Sequence, residues 1–235
     1  GYRYYSPRQF ELFNTIRYLR ALDMPLGEIA DFLHGREVDR IEEKLCRQKA
    51  IVAEKQRELA RIERKIDAQL QRLRDAQSAA LGSIEVVRVP PCRIFWTENH
   101  LAVQNTDDAE LSTSRLAAAQ TEATIFLGKV GFSISEEHLR EKQYDRYDGA
   151  FLLLDEADRF DGALLSLPET LCVRVRFRGH HLQSPEQYRR LERFMAEHRL
   201  RLSGFSREIT LIDQGFTNDT EKFVTEICIP VTEGE

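Results

Sequence analysis

Apolar residues recur along this chain with two different periods, and the change falls near residue 82. In the first third the spacing is helical. Ser6-Pro7-Arg8-Gln9 carries the marks of a helix start: a serine able to accept from free amides, a proline at the first helical position, and a glutamine that completes a capping box. Phe10, Phe13, Ile16 or Arg17, and Leu19 or Leu22 follow at helical spacing. A second short helix is predicted from near Pro25, with Ile29, Phe32 and Leu33 on one side and Gly35 as its stop. Two such helices bury little area by themselves, so this front piece is expected to need a companion, either further chain or another subunit.

From Val38 to Ala80 the chain contains neither Gly nor Pro. Leu45, Val52, Leu59, Ile66 and Leu73 recur every seventh residue, with Ile41 and Ile62 on the neighbouring seam. That pattern predicts a coiled-coil helix on the order of 60 Å long, at about 1.5 Å rise per residue. A single narrow apolar stripe on an otherwise charged helix favours pairing with another helix. The simplest partner is a second copy, so a homodimer is expected through residues 38–81. The polar seam positions Gln48, Lys55 and Gln69 are expected to restrict register at some cost in stability. Heptad spacing alone leaves the relative direction of the two helices open.

After Leu81-Gly82-Ser83 the period becomes two. Strands are predicted at about 84–89, 92–97, 148–154, 171–177, 206–212 and 223–229, and helices at about 111–128 and 185–198. Ser184-Pro185-Glu186-Gln187 reads as another capping box, opening a helix with Tyr188, Leu191, Phe194 and Met195 inward. The second half of this region runs strand, helix, strand, strand, and the first half can be read the same way. The predicted class is α+β: a duplicated β-α-β-β module with helices on one face of an antiparallel sheet. The other face is then partly open.

Candidate chemistry lies in the last two strands. Alternation places Ile209 and Leu211 on one face of their strand and Glu208 and Thr210 on the other; Ile227 and Ile229 likewise oppose Glu226. If the two strands pair, as their closeness in sequence suggests, both carboxylates project from the face away from the helices. A half-buried glutamate must pair, protonate or find a cation. Aromatic walls would turn such a site into a trap for large organic cations, and Trp96, Tyr144 and Tyr147 are the candidates, with Phe95 and Phe151 behind them. Two carboxylates on one face can also serve as acid and base. The sequence contains no GxSxG, HExxH or phosphate-binding glycine loop to support an enzyme. His180-His181 after Gly179 reads as a polar turn, and Cys46 as a solitary thiol, so no metal or cofactor is expected.

Composition changes this picture in three places. The net charge of −5 over 235 residues hides a front third with 16 Lys/Arg against 13 Asp/Glu and a remainder with 18 against 26. An anionic partner in front and a cationic one behind fit that split. Four cysteines without a CxxC pair exclude a zinc ribbon and fit a reduced, cytoplasmic protein. No apolar run reaches the ~18–20 residues of a membrane span, so no membrane partner is expected. At the front, Tyr2, Arg3, Tyr4 and Tyr5, with Arg8 just beyond, suit the phosphate backbone of a nucleic acid.

Gly1-Tyr2-Arg3-Tyr4-Tyr5-Ser6-Pro7, a helix, Leu26-Gly27-Glu28-Ile29 and a long heptad helix resemble the MerR family of transcription regulators. Leu202–Val231, with Arg207-Glu208-Ile209 and Val224-Thr225-Glu226-Ile227-Cys228-Ile229-Pro230-Val231, resembles the GyrI-like effector-binding domain. The pairing is that of the family's multidrug-sensing branch, and it covers nearly the whole chain, residues 98–150 matching least. The resemblance implies a regulator whose residues 1–37 are the wing and following helices of a DNA-binding module, 38–81 an antiparallel coiled coil, and 82–235 the effector domain. Such a dimer binds promoter DNA with an overlong spacer and, with effector bound, twists it for RNA polymerase. The resemblance places Tyr2, Arg3, Tyr4, Tyr5 and Arg8 on phosphate, and Glu208 and Glu226 in a pocket for a hydrophobic, cationic effector. The family's module starts with a helix-turn-helix, and this chain matches from inside the wing. On that basis DNA binding is expected of the intact protein. The competing expectation is a GyrI-like hydrolase that uses the pocket glutamates.

Overall fold

The computed structural model describes residues 6–34, 38–102, 129–154 and 163–234. Two compact units divide the chain, Gly1–Glu63 and Arg64–Glu235. Helix α3 (Val38–Ser78) runs from the first into the second.

In the first unit, α1 (Pro7–Ala21) starts as its sequence requires. Ser6 Oγ accepts from the Gln9 amide at 3.4 Å, and Gln9 Oε1 accepts from the Ser6 amide at 2.8 Å. Leu19 and Met24 pack with Ile29 and Phe32 of α2 (Leu26–His34) to form a small core. The companion that two short helices require is supplied by the same chain. Leu45 of α3 packs onto this core, Gln48 Nε2 donates to the Leu22 carbonyl at 2.9 Å, and Lys55 Nζ meets Asp23 at 2.6 Å. Two of the polar seam positions thus tie α3 to its own unit, and the third, Gln69, accepts from Arg72 at 2.7 Å. The seam is used unevenly. Leu45 and Leu73 are packed within their units, whereas Val52, Leu59 and Ile66 are exposed.

Among the described residues the second unit holds a nine-stranded antiparallel sheet. Its strands are β1 (Ile84–Val89), β2 (Cys92–Ala102), β3 (Val130–Ser133), β4 (Arg146–Leu154), β5 (Leu165–Leu167), β6 (Thr170–Arg178), β7 (Leu200–Leu202), β8 (Arg207–Ile212) and β9 (Val224–Glu233). Strand order is β1-β6-β9-β8-β3-β4-β2-β5, with β7 on β9. The duplication expected from the sequence is visible in that order: β6-β9-β8 and β2-β4-β3 repeat one pairing scheme and meet at β8–β3. Each repeat lends an edge strand to the other, since β1 pairs with β6 and β5 with β2. Helix α5 (Ser184–Glu197) lays Tyr188, Leu191 and Met195 on Val173, Val175, Ile227 and Ile229 to form the main core. The short helix α4 (Glu136–Arg140) follows β3, its Ser135 cap accepting from the His138 amide at 3.2 Å.

The six predicted strands all form, and α5 lies where a helix was expected. The helix predicted at 111–128 lies outside the described residues, as do Tyr2, Arg3, Tyr4 and Tyr5; Arg8 is the second residue of α1. Strands β3, β5 and β7 and helix α4, of three to five residues, are too short to show a period. Among the described residues no helix is long and apolar enough to cross a membrane.

Two glycines permit close approaches in the sheet. A Cβ on Gly131 would sit 2.4 Å from Phe151 Cζ and 2.6 Å from the Glu208 carbonyl oxygen; one on Gly149 would sit 2.3 Å from Trp96 Nε1. Gly131→Ala is expected to cost about 1–3 kcal/mol, the range for overpacking a filled core. Gly27→Ala, with nothing within 4 Å of the new methyl, is expected to gain about 0.5–1 kcal/mol through helix propensity. Urea denaturation of the two variants checks both signs.

Candidate functional site

The site follows from the register of β8 on β9. Glu208 lies opposite Ile227, and Ile209 opposite Glu226. Glu208 therefore shares a face with Ile227, on the side covered by α5, and Glu226 projects from the other side. This corrects the expectation that both carboxylates share the face away from the helices. Alternation leaves register free, a one-residue slip exchanges the faces, and an irregularity between Thr210 and Ile212 breaks the count.

Glu208 is fully buried. Three donors converge on its Oε1: Tyr147 Oη at 2.7 Å, His181 Nδ1 at 2.6 Å and Ser184 Oγ at 2.5 Å. Its Oε2 is buried with no hydrogen-bond partner among the described residues. Each donor is placed by a different element. Tyr147 stands on β4 and stacks on Phe132 of β3 at 4.9 Å, and Phe132 is the cross-strand neighbour of Glu208. His181 opens a 3-10 turn (His181–Gln183) and meets the Phe132 ring edge-on at 4.7 Å. That turn hangs on Gly179, whose φ of +115° favours glycine. The Gly179 amide donates to the Phe223 carbonyl at 3.0 Å, and its carbonyl accepts from Thr225 Oγ1 at 2.7 Å. Ser184 is the first residue of α5. It does not cap the helix as its sequence suggested; its hydroxyl turns inward to the carboxylate.

Burial first, and then the charge of Glu208, push the Tyr147 hydroxyl well above its usual range, so it stays a donor. Tyr188, one turn into α5, is raised for the same two reasons, and its hydroxyl shares a hydrogen bond of 2.9 Å with Ser206 Oγ.

The other predicted site residues do different work. Glu226 is taken by arginines: Arg176 Nε donates to its Oε2 at 2.6 Å, and Arg174 stands 3.8 Å from the same oxygen. Arg176 also reaches the Asp75 carbonyl of α3 at 3.2 Å, and Arg174 reaches Glu85 of β1 at 2.9 Å. Trp96 lies on the Glu226 side of the sheet, half-exposed, with Nε1 donating to Ser133 Oγ at 3.1 Å. Tyr144 is buried and stacks on Tyr188 at 5.6 Å, and it donates to Glu192 at 3.0 Å. Phe151 is core on the Glu226 side with Ile94 and Ile209, and Phe95 packs against the main core. The structure thus brings together Glu208 and Tyr147, adds Phe132, His181 and Ser184, and leaves Glu226 and Trp96 on the opposite face.

Ser184 donates to the carboxylate and not to the imidazole. Among the described residues no group of His, Cys, Asp and Glu could hold a metal ion. A buried carboxylate with one oxygen saturated and the other bare, walled by aromatic rings, suits a donor or a positive charge.

A sheet built from two repeats around a buried acid, joined to a long helix and a helical front piece, defines a small-molecule binding domain attached to a regulatory module. Residues 83–232 match the model of the GyrI-like small molecule binding domain, and residues 1–36 that of the MerR HTH family regulatory protein. The chain belongs to the GyrI-like family, with a MerR-type front, and is a ligand-responsive transcription regulator. Among solved structures it is similar to EcmrR in the EcmrR-DNA complex of EcmrR-RPo, at 19% identity over 99% of this chain and 87% of that one, with a TM-score of 0.51. It is also similar to the EcmrR C-terminal domain, at 15% identity over 64% and 98% of the two chains (TM-score 0.48). A hydrolase from Listeria innocua matches at 15% identity over 69% and 98% (TM-score 0.46). At these identities the likeness is one of fold. No curated protein matches the chain.

Because Glu226 serves the arginine network, Glu226→Gln is expected to lower stability by about 1–2 kcal/mol, between the ranges for exposed and fully buried pairs. Chemical denaturation measures that loss.

Proposed function

We propose that this regulator senses a hydrophobic, cationic small molecule at Glu208 and that its intact form acts on promoter DNA as a homodimer. One observation carries the effector class: the bare, buried Oε2 of Glu208 beside the rings of Tyr147, Phe132 and His181. An ammonium or other organic cation satisfies that oxygen and stacks on the rings, which a neutral compound of the same shape does only in part. His181 is the gate of this site, since its side chain is 22% exposed while Glu208 is closed off entirely. Rotation of the imidazole away from Oε1 opens the carboxylate and leaves Tyr147 and Ser184 to hold it.

The exposed stripe of Val52, Leu59 and Ile66 supports dimerisation through the helix of residues 38–81. On this reading residues 1–37 contribute phosphate contacts through Tyr2, Arg3, Tyr4, Tyr5 and Arg8, and residues 82–235 form the effector domain. EcmrR is recorded bound to DNA in EcmrR-RPo, and we extend promoter binding, with an indirect effect on RNA polymerase in the cytoplasm, to this chain. The hydrolase reading has less support, because residues 1–36 match a DNA-binding regulatory module that an enzyme of this size does not need.

Calorimetric titration with benzyltrimethylammonium and its neutral carbon isostere tests the effector class. The cation is expected to bind at least about 10-fold more tightly, and Glu208→Gln to remove that preference, as loss of a charged contact predicts. Glu226→Gln leaves it intact. Equal affinity for both compounds, or consumption of the cation, would contradict the reading. Sedimentation is expected to show a dimer that Leu59→Asp converts to monomer.

A further inference from the structure

A cavity lies on the far side of the sheet from Glu208, where the last turns of α3 meet the loop between β8 and β9. The cavity has a volume of about 330 Å³, at the lower end of the ~300–1,000 Å³ of small-molecule pockets. Its floor is apolar. Ala76 of α3, Ile212 of β8 and Val224 of β9 are buried there, with Leu73 and Phe216 packed around them.

The charges at its rim have one sign. Arg178, at the end of β6, and Lys222, the last residue of the 3-10 turn that precedes β9, line the cavity, whereas no Asp or Glu does. Gln77 and Thr217 supply neutral hydrogen-bonding groups. Lys222 has an exposed partner in Asp219 at 3.2 Å. Arg178 has none of that kind: its guanidinium donates only to the Glu221 carbonyl, at 3.4 Å, and meets no carboxylate among the described residues. Its bidentate face therefore remains available to an anion. The end of α3 would ordinarily oppose negative charge, because its last carbonyls point outward. One of them, that of Asp75, is already bound by Arg176.

We infer that this cavity takes an anionic amphiphile, a carboxylate on a short apolar chain or ring. Its apolar part lies on Ala76, Ile212 and Val224, and its carboxylate on Arg178. The occupant touches α3 on one wall and the β8–β9 loop on the other, so it fastens the end of the long helix to the sheet. This site needs the opposite charge from the effector site at Glu208 and does not rest on that reading.

Titration of the full chain with octanoate, octanol and octyltrimethylammonium, followed by calorimetry, tests the inference. Octanoate is expected to bind saturably at one site per chain, about 10-fold more tightly than octanol, as one charge-assisted contact predicts. Arg178→Glu, a change at an exposed position that spares the core, is expected to abolish octanoate binding and favour octyltrimethylammonium. Glu208→Gln is expected to leave octanoate binding unchanged. Absence of saturable octanoate binding, binding indifferent to Arg178→Glu, or binding lost in Glu208→Gln would each overturn the assignment.

Discussion

The burial of one carboxylate organises the effector domain. An unpaired charge taken out of water costs several kcal/mol, and each hydrogen bond to a charged group returns about 1.5–3 kcal/mol. Glu208 is closed off from solvent, and three hydroxyl or imidazole donors answer it. Those donors come from β4, from the turn after β6 and from the first residue of α5. The carboxylate is therefore a point at which the sheet, the turn and the helix must agree. Its second oxygen has no hydrogen-bond partner among the described residues.

The position of this acid within the duplicated fold has a consequence. The two repeats meet along β8 and β3, and Glu208 with its neighbour Phe132 stands on that seam. Tyr147 comes from one repeat, His181 and Ser184 from the other. A molecule that binds Glu208 thus acts on both repeats at once. The exchanged edge strands β1 and β5 join the repeats at the flanks. On the reverse face, Glu226, Arg174 and Arg176 link β1, β6 and β9 to the last turns of α3. Effector-driven change in a regulator requires a difference in affinity between two arrangements.

Much of the architecture was legible in the residues. The capping box at Ser6, the gap without Gly or Pro in α3 and the period-two runs of the long strands each carry a local physical signal. The site was legible only in part, because its determinants are long-range. Glu208 and Tyr147 stood out by residue type, but register decided which face each acid took. Isoleucines at alternate positions in both strands fit either register, and the choice made by Glu208 opposite Ile227 brought Glu226 to the arginines. Ser184 was ambiguous in a similar way, since a hydroxyl at a helix start serves a free amide or a carboxylate equally well. His181 looked like a turn residue and is one; only the fold brings Glu208 to its ring. The polar seam positions of α3 were legible as exceptions, yet the partners of Gln48 and Lys55, Leu22 and Asp23, lie in the turn after α1.

On the function proposed above, the bare oxygen of Glu208 receives the effector's positive charge. The most direct measurement is the side-chain carboxyl carbon resonance of each glutamate by NMR during titration with benzyltrimethylammonium at neutral pH. The account predicts that the Glu208 signal moves in step with saturation while that of Glu226 stays fixed. A moving Glu226 beside a stationary Glu208 would contradict it and place the cation on the other face of the sheet.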